Sequence, residues 1–134
     1  MPEVILLDTH IWIWLVNGSF ERFPESWLSR FEQADCLGVS PISCYEIAIV
    51  QKRGRLSLGC SVEKWLQQAF ASGSFELFPI TPTVALKAAN LSPIHKDPFD
   101  RLIIATALER GAKLASIDSL FPQYSELENC LLKR

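Results

Sequence analysis

The sequence predicts an α/β fold, a three-layer sandwich with a central parallel sheet of four to five strands and helices on both faces. Three observations carry this. Short apolar runs alternate with segments of helical length along the chain. The stretches between those runs are long enough for crossover connections. Val4-Ile5-Leu6-Leu7 is continuously apolar, as a strand buried on both faces should be. At 134 residues, 49% hydrophobic and 21% charged, the chain reads as one domain, residues 1–134, able to bury a core without staples.

The first strand ends at Asp8. Thr9 to Val16 is too densely apolar for a surface helix and predicts a short, largely buried one, closed by a turn at Asn17-Gly18. Pro24 starts a second helix that runs to about Ala34, and Cys36 to Ser40 is a second buried strand whose exit Pro41 punctuates. Ser43-Cys44-Tyr45-Glu46 matches a capping box, which puts Glu46 in the first turn of a helix to about Lys52, in line with Ile49 and Val50. Gly54 to Gly59 connects to an amphipathic helix over 61–71. Phe75 to Ile80 is a third strand, placed at an edge because Pro79 cannot donate to a ladder. Thr81-Pro82 opens a helix to about Asn90. Asp97 caps the next helix and Pro98 is its first residue, since Asp accepts from free amides and Pro has no amide to waste. Gly111 ends that helix, and Lys113 to Ile117 is a fourth strand ending at Asp118. Cys130-Leu131-Leu132 is a candidate fifth, short strand.

Charge and cysteines narrow the partners. The net charge of −2 argues against a wholly basic nucleic-acid binder. Without Asp8, Glu46, Asp100 and Asp118 the balance is 13 basic against 11 acidic residues, or +2, so neutralising those four leaves a mildly basic surface. Cys36, Cys44, Cys60 and Cys130 have no close metal-type pairing and need no bridge in a chain of this size. His10 and His95 lie far apart and are read as surface or supporting residues rather than metal ligands. No apolar run has the length of a membrane span, and no basic region precedes the first apolar segment, so the expected location is cytoplasmic with no membrane partner.

In parallel sheets, ligands bind beyond the carboxyl ends of the strands. Asp8, Glu46, Asp100 and Asp118 all fall at that edge. Each alone has a capping explanation. Together they would repel strongly unless a cation neutralised them. All-oxygen ligation points to Mg²⁺ or Mn²⁺, and two such ions about 3.5–4 Å apart serve both the attacking and the leaving oxygen of a phosphodiester hydrolysis. Asp8, Glu46 and Asp100 are the candidate ligands, with Asp118 holding a second or weaker metal directly or through water. Thr9, Ser43 and Ser116 are candidates to orient the acids or hold metal-bound water. Lys52 and Arg55 beyond the Glu46 helix, and Arg101 with His95 and Lys96 around Asp100, are candidate phosphate contacts, although Lys52 also suits a solvated helix end and Arg101 a carboxylate partner. Trp12, Trp14, Trp27, Trp65 and Phe70 read as core or partner surface before they read as a base-stacking platform.

The segments Asp8-Thr9-His10, Ser43 to Ala48, His95 to Ala105 and Ser116-Ile117-Asp118 resemble the successive acidic motifs of PIN-domain proteins, specifically the VapC-type toxins of bacterial and archaeal toxin–antitoxin pairs. The likeness runs from Leu7 to Phe121. It implies a PIN-like fold and a Mg²⁺- or Mn²⁺-dependent ribonuclease with Asp8, Glu46, Asp100 and Asp118 as the acidic quartet. It also implies a homodimer, an RNA substrate, and a VapB-like antitoxin whose tail covers the groove. Asp97 is similar to a further family acid. Ser116 stands where Thr is frequent and Tyr45 where Trp is common, and neither departure touches the quartet. The rival is a catalytically silent PIN-like module that binds a protein or RNA, whose mark would be a missing acid. An aspartyl phosphotransfer enzyme fits worse, because His10 stands where a second acid would be needed.

Overall fold

In the computed structural model, residues 3–54 and 56–134 are described. Arg55, one of the candidate phosphate contacts, lies outside them. The elements run β1 (Val4–Leu7), α1 (Thr9–Asn17), α2 (Ser26–Gln33), β2 (Cys36–Val39), α3 (Pro41–Lys52), α4 (Val62–Ala71), β3 (Glu76–Leu77), α5 (Pro82–Ala89), α6 (Pro98–Arg110) and β4 (Lys113–Ala115). Short 3-10 turns follow α1 and β4.

The four strands form one sheet in the order β3-β2-β1-β4, every pairing parallel. Alternation along central β1 separates two cores. Ile5 and Leu7 point into a cluster with Ile11 and Trp12 of α1, Trp27 and Phe31 of α2, Ile47 of α3 and Trp65 of α4. Leu6 points the other way, among Val84 and Ala88 of α5, Ile103, Ile104 and Ala107 of α6, and Phe121, Tyr124 and Leu127 of the tail. Each such side chain taken fully out of water contributes about 1.5–3 kcal/mol, so both layers are firmly fixed to the sheet. Gly38 of β2 lets the Phe78 ring approach the strand closely, because a Cβ there would collide with the ring's Cδ2, Cε2 and Cζ.

Several expectations need correcting. The strands are shorter than the apolar runs: β3 keeps only two residues, and β4 stops at Ala115, leaving Ser116 and Ile117 between it and Asp118. Leu131 makes a single parallel bridge to Leu114, too little for a fifth strand. The second helix begins at Ser26, after a turn in which the Trp27 amide donates to the Pro24 carbonyl. The capping box at Ser43 does not form. Ser40 caps α3 by accepting from the Ile42 amide, and Pro41 is the first helical residue, which puts Glu46 in the second turn. Ser43 and Ile47, not Glu46, Ile49 and Val50, form the buried face. The Pro-led start prevails because Pro41 spends no amide there. Asp97, Pro98 and Gly111 bound α6 as expected, with Asp97 accepting from the Phe99 amide at 2.9 Å and Gly111 left-handed at φ 61°.

Candidate metal centre

Asp8, Glu46, Asp100 and Asp118 line a single cleft of about 410 Å³ at the carboxyl edge of the sheet, together with Thr9, His10, Ile11, Trp14 and Ile117. Four separate elements deliver them. Asp8 leaves β1 and caps α1, Glu46 projects from the second turn of α3, Asp100 from the first turn of α6, and Asp118 from the turn after β4.

Hydroxyls support two of the acids. Asp8 accepts from the Thr9 amide at 2.9 Å and from the Ser116 hydroxyl at 2.7 Å. Glu46 accepts from the Thr9 hydroxyl at 2.6 Å. Since that bond uses the single Thr9 hydroxyl proton, Ser43 must be the donor in its 2.8 Å contact with Thr9. Thr9, Ser43 and Ser116 are thus each within hydrogen-bond reach of an acid or of the hydroxyl that supports one. Asp97 stays a helix cap whose charge acts on both Glu46 and Asp100.

Burial dominates the electrostatics. It pushes the Asp8, Glu46 and Asp100 carboxyls above their ordinary range, Asp100 to about 6. At Asp8 the Ser116 and Thr9 bonds pull the other way, and at Glu46 the Thr9 bond does. At Asp100 the opposing influence is His95, while Asp8, Asp97 and Asp118 add repulsion. Among the described residues, no hydrogen bond within 3.5 Å reaches the Asp100 carboxylate; the nearest ring nitrogen is His95 Nε2, 3.8 Å away. A half-buried acid without a donor, facing three others, is a group that a cation would complete.

The basic candidates are placed differently. Arg101 does not face the cleft: its terminal nitrogens donate to the carbonyls of Ser92 at 2.8 Å and of Ala88 and Leu91 at 2.9 Å, closing the end of α5 and the following loop. The guanidinium fork is spent on main chain, which removes Arg101 as a phosphate contact or a carboxylate partner. Lys52 is exposed in the last turn of α3 and is not among the residues lining the cleft. His95 is not a free phosphate contact either. Its side chain is 7% exposed, and Nε2 lies 3.2 Å from Asp118. His95, Asp100 and Asp118 present ligand atoms within 4.8 Å of one another. The sequence reading had His95 beside Asp100 but missed its closeness to Asp118, and it missed Tyr124, whose hydroxyl meets that imidazole. Proximity of His95 to Asp100 along the chain was the one available signal. Among the aromatics, Trp12, Trp27 and Trp65 are buried core, while Trp14 borders the cleft.

Fold and cleft together define an α/β protein with an acidic centre at the carboxyl edge of a parallel sheet. The chain belongs to the PIN domain family, whose model matches residues 5–127. It is 37% identical over 115 residues to a protein named ribonuclease VapC22 from Mycobacterium tuberculosis, a match covering 85% of this chain and 86% of that one. Solved structures share the fold. The VapBC2 complex of Rickettsia felis bound to a promoter DNA fragment matches with a TM-score of 0.66 over 97% of both chains at 14% identity. A toxin–antitoxin complex from Klebsiella pneumoniae matches at 0.54 over 86% of this chain and 87% of that chain at 19% identity.

Proposed function

We propose that this chain, as a single PIN domain, is a Mg²⁺- or Mn²⁺-dependent endoribonuclease and the toxin of a toxin–antitoxin pair. The observation that carries the reading is the convergence of Asp8, Glu46, Asp100 and Asp118 on one cleft, with no donor within hydrogen-bond distance of Asp100 among the described residues. The donor set is all carboxylate oxygen, which suits a hard divalent cation. Such a cation, when bound, supplies the charge that activates water and stabilises the developing charge of a phosphodiester under attack. The protein's own contribution is placement. Asp8, Glu46 and Asp100 would hold the cation, Asp118 would complete the site or hold a second one, and Thr9, Ser43 and Ser116 fix the angles of Asp8 and Glu46.

The relative named a ribonuclease supports RNA as the substrate, and the fold neighbours, which are toxin–antitoxin complexes, support a VapB-like antitoxin as partner. In this reading the chain acts in the cytoplasm as a homodimer, silenced when the antitoxin covers the cleft. No helix among the described residues is long and apolar enough to cross a membrane.

The test is cleavage of a mixed RNA pool by the antitoxin-free protein, with and without Mg²⁺ or Mn²⁺, beside Asp8→Asn. Cleavage should need the cation and fall by more than about 100-fold in the variant, since losing a ligand should cost at least as much as losing a ligand's support. An equally active Asp8→Asn protein would sink the mechanism. RNA binding without cleavage would favour the silent module instead.

A further inference from the structure

His95 sits in the loop before α6 with its ring packed parallel to that of Tyr124, 12° between planes, and edge-on to Phe121. Tyr124 is 1% exposed, and its hydroxyl meets two groups of the same residue: the His95 amide at 3.0 Å and His95 Nδ1 at 2.8 Å. The other ring nitrogen, Nε2, lies 3.2 Å from Asp118 Oδ2 and 3.8 Å from Asp100 Oδ2.

The His95 amide donates to the Tyr124 oxygen, and the arrangement of a neutral imidazole that leaves no group unpaired has the Tyr124 hydroxyl giving its own proton to Nδ1. Nε2 then carries a proton and donates it to Asp118. In the opposite tautomer a bare Nε2 would face a carboxylate at hydrogen-bond distance, and the buried phenol proton would lose its acceptor, leaving two polar groups unpaired. The second oxygen of Asp118 is occupied as well, accepting from the Leu120 amide at 2.8 Å, while the Asp118 amide donates to Ser116, which itself donates to Asp8. A continuous hydrogen-bonded line therefore runs from buried Tyr124 through His95 and Asp118 to Ser116 and Asp8.

We propose that His95, oriented by Tyr124, is a positioning residue that holds Asp118 in the cation site through Nε2–H, and that it is not itself a ligand. This deepens the proposed function and rests on it. Asp118 needs such a donor because it stands on a short turn beyond β4, beside Asp100, whose charge repels it.

Two measurements test this. The nitrogen-15 spectrum of the cation-free protein should show His95 Nε2 protonated, a readout that needs no variant. In calorimetry, His95→Ala should weaken Mn²⁺ binding by roughly 10–100-fold, the usual cost of losing a ligand's support, and His95→Gln should recover most of that through its amide N–H. A bare Nε2 would overturn the proposal, as would a glutamine variant no better than alanine. Nitrogen coupling from His95 to bound Mn²⁺ in paramagnetic resonance would also overturn it, by making the histidine a ligand. Failure of the wild type to bind Mn²⁺ or Mg²⁺ would instead remove the proposed function, and this proposal with it.

Discussion

On one wall of the cleft, Asp8 and Glu46 accept hydrogen bonds from Ser116 and Thr9, and Ser43 backs Thr9 from within the fold. On the other, Asp100 accepts none among the described residues, and Asp118 leans on His95. Both walls lose water, and the cost of that loss is met differently. Neutral hydroxyls stabilise the ionised form of Asp8 and Glu46 wherever the cation is. Asp100 has no such help, so its ionisation in the cation-free protein is opposed by burial and by three neighbouring acids. The contrast explains why one wall is built to keep its shape and the other to respond to charge brought from outside.

The largest expected change comes from making the first wall resemble the second. Ser116→Ala removes the 2.7 Å donor from Asp8 and should weaken Mg²⁺ and Mn²⁺ binding by roughly 10–100-fold, whereas Ser116→Thr, which keeps the hydroxyl, should bind nearly as well. Calorimetry on the two variants reads this. Equal affinity in wild type and Ser116→Ala would erase the distinction between the walls.

A smaller effect should appear as pH dependence without any cation. Burial lifts the Asp100 carboxyl from its ordinary 3.8 to about 6, so between those values the folded chain keeps a proton that the unfolded chain has released. Stability contributed by this group is full below about pH 4 and is lost as pH rises through about 6. Chemical denaturation across that window should show wild-type stability falling more steeply than that of Asp100→Asn, and saturating Mg²⁺ should offset the loss near pH 7. Identical slopes for the two proteins would show that Asp100 ionises without penalty.

Much of this arrangement was legible in the sequence, and the exceptions share a cause. The Asp97-Pro98 start of α6 and its end at Gly111 are local chemistry, read from adjacent residues. The order of strands and helices, and the fall of four acids at one edge, follow from alternation and from the rule for parallel sheets. Competing local signals were harder: Ser40-Pro41 and Ser43-Glu46 both announce a helix start, and only the folded chain shows that Pro41 leads. Arg101 follows Asp100 directly, yet the helix turns successive side chains about 100° apart, and the arginine reaches carbonyls of Ala88, Leu91 and Ser92 instead of the acids. His95 and Tyr124 are 29 residues apart, and nothing in either segment announces the other. Their meeting is a product of the core that packs the tail against α6.

The central claim is that the four carboxylates form a cation site and are more than helix caps. It is tested most directly by titrating Mn²⁺ and Mg²⁺ calorimetrically into the antitoxin-free wild type and into an Asp8→Asn/Asp100→Asn double variant. The account predicts saturable binding by the wild type that disappears in a variant still folded by circular dichroism. No binding by the wild type, or undiminished binding by the folded variant, would contradict it.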